Sequence, residues 1–362
     1  VFHLLDPNEV AFDFDRPMRF VDLEDKSVLL AEPEVIQDIY RQTVADYLKA
    51  MHEGCNKFQA DYRRVETDGD YEKALADSYN NIGGIYKEHG NYEKALEYLL
   101  QSLEINRKFG RAAEVALDFN NIGMIYFQWG QYDQAINHLK MSLERNKKLG
   151  RNDQIPINLN NIGMVYKSWG QAEKAIDYFQ QALNLQIKLG SEDGTSITLH
   201  NIGTVYRSVG QYDRAMEYHQ QALAIALKLG KEGDVAHIFH GIGETHRSLE
   251  QYDKAIKYYQ KALDLNRKMG NELGIANVME SGGVVSVFLG NYDKAMDFFK
   301  DALPRYRKMG SQSRVGGVLN SIGVTFAIQG QHTSAIKYFL ESINVLEQIR
   351  KNHLSLSTVY RF

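Results

Sequence analysis

The tripeptide Asn81-Ile82-Gly83 returns every 40 residues along this chain. It comes back as Asn121-Ile122-Gly123, Asn161-Ile162-Gly163 and Asn201-Ile202-Gly203, then as Gly241-Ile242-Gly243, Ser281-Gly282-Gly283 and Ser321-Ile322-Gly323. Seven units in one phase without an insertion leave little freedom of architecture. Each unit must be one supersecondary element that buries its apolar face on its neighbours.

Each unit reads as a pair of helices. In the first, helix A is expected from 75 to 89 and helix B from 92 to 109. Tyr79, Ile82, Gly83 and Tyr86 fall at i, i+3, i+4 and i+7, which is one helical face. Ala95, Leu99, Ser102 and Leu103 make the facing stripe of helix B. Three glycine phases punctuate the unit and hold 19 of the chain's 29 glycines. The Gly83 phase lets helix B cross close to helix A. The Gly90 and Gly110 phases end the two helices, where a left-handed residue is needed. Glu250 and Arg350 break the last two phases. The small polar residue before helix B, Asn91 or Gln131 and their equivalents, is expected to cap it, and an acidic residue in the first turn suits the helix dipole.

Tyr79, Ile82, Gly83, Tyr86, Ala95, Leu99 and Ser102, and more closely Leu159, Ile162, Gly163, Tyr166, Ala175, Phe179 and Ala182, match a known pattern. Over 71–362 the chain resembles the tetratricopeptide repeat family, in the longer-unit variety of kinesin light chains, Leu-Gly-Asn-repeat spindle adaptors and many bacterial signalling proteins. The resemblance implies a mainly α fold, a right-handed α-solenoid of seven helix-turn-helix repeats over 71–350. Residues 351–362 align with 111–122 and read as the start of a truncated eighth repeat. With no methionine at Val1, the chain reads as an excerpt of a longer one.

Residues 1–70 have another texture and a net charge of −8, against +4 for the rest. Val1–Leu5, Met18–Leu23, Ser27–Leu30 and Tyr62–Val65 read as strands, the second and third pairing across Glu24-Asp25-Lys26. An amphipathic helix is expected over 33–59, with Tyr40, Val44, Leu48 and Cys55 on its apolar face. Leu5-Asp6-Pro7, Arg19-Phe20-x-Asp22-x-Glu24 and the closing Asp61-Tyr62 resemble the C-terminal part of a bacterial von Willebrand A-like family, so the segment is expected to be a partial α/β fold. That family's metal-binding Asp-x-Ser-x-Ser loop is not in the sequence. Asp70–Leu75 repeats the turn at Asn91–Leu96 and reads as a degenerate helix B.

In the tetratricopeptide family one helix A position faces the concave groove. By that resemblance the position holds Asn80, Asn120, Asn160, His200, His240, Glu280 and Asn320, with Asn121, Asn161 and Asn201 beside it. Asparagine both donates to and accepts from a peptide backbone, so the ladder could hold an extended chain; alternatively these residues pack against helix ends. Seven residues on lie Lys87, Phe127, Lys167, Arg207, Arg247, Val287 and Ala327, with Phe288 and Ile328 next to the last two. This gives a basic stretch for acidic side chains, then an apolar stretch, unless the cations only form a solvated face.

His237, His240 and Glu244 fall on one helix face with His200 one repeat away, but polar lining of the groove accounts for them better than a metal. Trp129 and Trp169 read as packing residues. Ser281-Gly282-Gly283 lacks the order of a phosphate loop. No catalytic constellation or cofactor motif stands out, and Cys55 on an apolar helix face is expected to be inert. A net charge of −4 and no basic stripe argue against nucleic acid. No apolar run reaches the ~18 residues that span a bilayer. One cysteine and no Asn-x-Ser/Thr sequon suit a cytoplasmic setting. The expected function is a protein-interaction scaffold for a peptide segment of a partner, acidic on the evidence of the cations. The alternative is a regulatory domain of a larger signalling protein.

Overall fold

A computed structural model describes residues 2–5, 18–21, 28–31, 63–66 and 71–357, with six isolated helical positions between 42 and 53. The strands among the described residues are β1 (Phe2–Leu5), β2 (Met18–Val21), β3 (Val28–Ala31) and β4 (Arg63–Glu66). β2 and β3 pair antiparallel with Phe20 opposite Leu29, as the alternation predicts, and β1 pairs parallel with β4. Gln42, Ala45, Asp46, Lys49, Ala50 and Glu53 are helical. The rest of the expected 33–59 helix, Cys55 included, lies outside the described residues.

Fourteen helices follow. The A helices are α1 (Tyr71–Glu88), α3 (Ala112–Gln128), α5 (Ile155–Ser168), α7 (Glu192–Ser208), α9 (Glu232–Ser248), α11 (Glu272–Phe288) and α13 (Gln312–Ile328). The B helices are α2 (Tyr92–Lys108), α4 (Tyr132–Lys148), α6 (Ala172–Lys188), α8 (Tyr212–Lys228), α10 (Tyr252–Lys268), α12 (Tyr292–Lys308) and α14 (His332–Ser357). The chain falls into two compact units. One comprises Val1–Asn81 with Gln101–Gly110; the other comprises Ile82–Leu100 with Arg111–Phe362. The second is a right-handed α-solenoid. Its A helices touch the A helices of adjacent repeats, while its B helices pack on A helices, so the A helices form the inner wall.

The Gly83 phase does what its spacing implies. A Cβ built on Gly163 would lie 2.7 Å from the Phe179 ring, and one on Gly283 would lie 2.4 Å from the Phe299 ring. Helix B therefore seats its largest core residue directly on the glycine. A second seam runs alongside: Tyr86 stacks on Tyr98 at 5.6 Å, Tyr166 on Tyr178 at 5.4 Å and Phe326 on Tyr338 at 5.5 Å. Most helices end in paired backbone bonds, such as Asn91 N–H to the Tyr86 carbonyl and Gly90 N–H to the Lys87 carbonyl. These need a left-handed residue, and Gly90 supplies it at φ 72°.

Three readings of the sequence change. Tyr71–Leu75 is the opening of α1 rather than a degenerate B helix. The last helix runs unbroken to Ser357, because position 350 lacks the glycine that stops the earlier B helices; 351–357 extend α14 instead of opening an eighth repeat, and 358–362 lie outside the described residues. The expected B-helix cap forms at Asn91, whose Oδ1 accepts from the Lys94 N–H at 3.2 Å. It does not form at Gln131, Gln171, Gln211, Gln251 or Asn291.

Glu250 ends α9 at φ 58°, the one described non-glycine residue at positive φ. A left-handed side-chain residue costs about 1–2 kcal/mol, part of which the extra freedom of glycine in the unfolded chain returns. Glu250→Gly is therefore expected to raise stability by about 0.5–1 kcal/mol in urea titration.

Candidate functional site

The inner wall is built from A-helix positions that repeat with the 40-residue period. The asparagine ladder lies on it, and the helices are cross-linked through it. Asn161 Nδ2 donates to Asn120 Oδ1 at 2.9 Å, and Asn201 Nδ2 donates to Asn160 Oδ1 at 3.2 Å. The same register joins His240 Nε2 to Ser281 Oγ at 2.9 Å. The third and fourth repeats thus each hand an amide to the previous repeat's carboxamide. Asn120 also accepts from Asn158 at 3.3 Å. Asn120, Asn121, Asn160 and Asn161 are half-buried, Asn201 is buried and Asn320 is exposed. Asn80, half-buried, falls in the other unit, and Lys87 lies at the start of this one.

Four of the expected site residues converge in one place. His200, Arg207, His240 and Arg247 line a pocket of about 420 Å³ with Thr204, His237, Glu244, Asn277, Glu280, Val284 and Arg314. Lys167 stands one repeat before it, close enough to Arg207 and His200 for its charge to act on both. The His200 ring packs on His237 at 4.5 Å and on His219 at 4.9 Å. His219 comes from α8, behind the wall, and is fully buried.

Two of the pocket's arginines are neutralised. Arg247 donates to Glu244 Oε2 at 2.7 Å, and the Tyr259 hydroxyl donates to Glu244 Oε1 at 2.5 Å. Burial opposes ionisation of Glu244, but the Arg247 hydrogen bond and charge outweigh it and hold the carboxyl down at about 2. Arg314 lies 3.5 Å from Glu280, which also accepts from the Tyr306 hydroxyl at 2.8 Å. Lys167 and Arg207 make no ion pair among the described residues.

The histidines answer to this balance. Burial, then Arg207 and His237, pushes His219 down to about 3. Burial lowers His240 to about 4, against the pull of Glu244. Burial and then His237 hold His200 well below the ordinary imidazole range, and burial and then Lys167 lower His237. The cluster is therefore uncharged at neutral pH. Among the described residues no three His, Cys, Asp or Glu side chains come together as metal ligands do.

The expected ladder and cation positions miss half of this wall. Thr204, Glu244 and Val284 occupy the position four residues beyond the ladder, and His237 and Asn277 the position three before it. The latter phase also carries Leu117, Ile157 and Ile197, each 40% or more exposed, so an apolar stripe precedes the polar pocket. A count of i−3 and i+4 from the ladder would have found both positions. Phe288, expected among the apolar lining, stacks on Tyr252 of the preceding B helix at 5.5 Å and serves the joint between repeats.

Solved structures of similar architecture include a Rap protein complexed with competence and sporulation factor, with 15% identity, TM-score 0.62 and coverage of 85% of this chain and 81% of that one. The plasmid pLS20 Rap conjugation gene regulator in complex with the Phr* peptide has 17% identity, TM-score 0.61 and coverage of 75% and 74%. The apo quorum sensor NprR of B. thuringiensis has 16% identity, TM-score 0.58 and coverage of 87% of each chain. At such identities the likeness is one of fold. A comparison with curated proteins gives no match. Among the described residues no helix is long and apolar enough to cross a membrane. The sequence itself matches the profile described as tetratricopeptide repeat over 74–148, 154–228 and 234–308, in phase with the glycine seams and stacked A helices described above. The chain belongs to the tetratricopeptide repeat family.

Proposed function

We propose that the solenoid is a non-enzymatic, cytoplasmic interaction scaffold that holds a peptide segment of a partner protein along the inner wall of its A helices. The observation that carries this reading is the wall itself. It combines an exposed apolar stripe at Leu117, Ile157 and Ile197 with two cations that make no ion pair among the described residues, Lys167 and Arg207, and the carboxamides of the asparagine ladder. Such a surface suits a chain with apolar and acidic side chains and a backbone to be held. Asn121 and Lys87 belong to the same face in this reading, and residues 1–70 are read as a partial α/β segment of their own. Two of the solved structures of similar fold are complexes, one with competence and sporulation factor and the other with the Phr* peptide. The fold of a quorum sensor favours a second reading, a regulatory domain of a larger signalling protein, in which the same wall receives the signal.

The test selects short random peptides on the immobilised chain. Gly84 has open space beyond its Cα, and Asn320 is exposed on the wall. Gly84→Trp and Asn320→Trp should each weaken selected binders by about tenfold or more, about 1.4 kcal/mol. Gln221→Trp, on an exposed B-helix position, should leave binding unchanged. Failure to retain any peptide, or binding indifferent to both inner-wall changes, would exclude the groove.

A further inference from the structure

The pocket at the fourth to seventh repeats has features that packing does not require. Lys167 on α5 and Arg207 on α7 stand close enough for Arg207 to disfavour the charge on Lys167, and neither has an acidic partner among the described residues. His200 is 5% exposed, and its Nδ1 finds no hydrogen-bond partner. His237 stands at the mouth of the pocket, with one side of its ring open and the other packed against the His200 ring. His240, 3.9 Å from Glu244, completes the rim. Two cations with no ion pair among the described residues, beside the unpartnered Nδ1 of His200 at an open cavity, match one kind of guest, an anion with several acceptor oxygens.

We propose that Lys167, Arg207 and the His200–His237–His240 cluster form a proton-coupled oxyanion site, which takes a carboxylate or phosphoryl group of the bound peptide and gains a proton as it does so. The proposal rests on the groove reading and names the chemistry of one part of the groove. Lys167 and Arg207 supply fixed charge, and the imidazoles supply donors that strengthen on protonation. The groups facing the cluster set the direction of coupling. From α5 there is Lys167, from α7 Arg207, and from α8 His219. From α9 there are Asp234, Glu244 and Arg247, from α10 Tyr259, from α11 Glu280, and from α13 Arg314, which Glu280 neutralises. Glu244 is already committed to Arg247 and Tyr259, and Asp234 acts only on His237. The balance without a guest is cationic, which keeps the imidazoles neutral. A bound anion reverses that balance and raises their affinity for protons. Binding must then strengthen as pH falls, by up to about tenfold per pH unit for each proton taken up.

The probes are inorganic phosphate and tri-glutamate, each titrated into the full chain while the histidine ring signals are followed by NMR between about pH 7.5 and 4.5. Either probe should raise the His237 and His240 midpoints by about one unit or more, and lowering the pH by one unit should tighten its binding about tenfold. Response to phosphate alone assigns the site to phosphoryl groups, response to tri-glutamate alone to carboxylates, and response to both to oxyanions in general. Lys167→Met/Arg207→Met should abolish the response, while Lys167→Arg, which keeps the charge, should retain it. Midpoints that stay fixed with both probes, or that still move in the Lys167→Met/Arg207→Met variant, would overturn the site. Peptide capture without histidine movement would sink the site and leave the groove standing; histidine movement without peptide capture would do the reverse.

Discussion

Gly283→Val is expected to destabilise the solenoid by about 2–4 kcal/mol. A Cβ at Gly283 would meet Phe299 Cε1 at 2.4 Å and Cδ1 at 2.8 Å, and the Phe299 side chain is fully buried, so it has nowhere to swing. Inserting carbon into a packed seam typically costs about 1–3 kcal/mol, and a branched side chain at this distance adds to that. The helix propensity gained on losing a glycine returns less than about 1 kcal/mol. Phe299→Ala alone should cost about 3–5 kcal/mol by opening a cavity. The two changes together should cost clearly less than their sum, because each relieves the other, with a coupling of about 1–2 kcal/mol. Urea denaturation of the four proteins of the cycle measures this. Strict additivity would show that the close approach at Gly283 is not what demands glycine there. Because each repeat contacts only its neighbours, amide exchange in the Gly283→Val protein should quicken first in α11–α14 and last in α3–α5.

That glycine was legible from spacing alone, as were the helix ends at Gly90 and Gly110, because each is a backbone requirement that only glycine meets cheaply. The strand pairing at Phe20 and Leu29 was legible for a similar reason, since alternation fixes which face is buried. The site was legible only in part. The ladder position could be placed on the wall by resemblance, but its hydrogen bonds run between residues about 41 apart, Asn161 to Asn120 and Asn201 to Asn160. No local pattern reports which of two adjacent asparagines is spent on the neighbouring repeat. The pairing of Glu244 with Arg247 and Tyr259, and of Glu280 with Tyr306 and Arg314, likewise depends on how repeats stack. Those pairings decide which cations stay unpaired, so the choice of Lys167 and Arg207 over Arg247 as free charges could come only from the structure. The end of the array misled for a simpler reason. Residues 351–357 carry a helix A pattern, but without a glycine at 350 nothing stops α14 from absorbing them.

His219→Phe should make the protein more stable at neutral pH and far less sensitive to acid. The corresponding B-helix residue is Phe179, Phe299 or Phe339 in other repeats, where an aromatic ring covers the glycine of helix A. His219 covers Gly203 in the same way, 2.7 Å from where a Cβ would sit, but both ring nitrogens are buried without a hydrogen-bond partner among the described residues. Relieving that penalty is worth about 1–2 kcal/mol at pH 7. The acid effect follows from the direction of the shift. The folded-state value of His219 is depressed to about 3 from an ordinary 6.5. Above pH 6.5 the ring is neutral in both folded and unfolded chains and contributes no slope. As pH falls below 6.5 the unfolded chain takes the proton first, so stability declines until the folded-state value is reached. At pH 5 the loss from this residue is about 2 kcal/mol. His240, lowered to about 4, adds a loss of similar sign over the same upper part of the range. Urea midpoints measured at about pH 7 and pH 5 should therefore fall steeply in the unsubstituted protein and by about 2 kcal/mol less in His219→Phe. Equal pH slopes in the two proteins would mean that His219 finds its proton or its partner in the folded chain after all, and that its burial beside His200 is not the source of acid sensitivity.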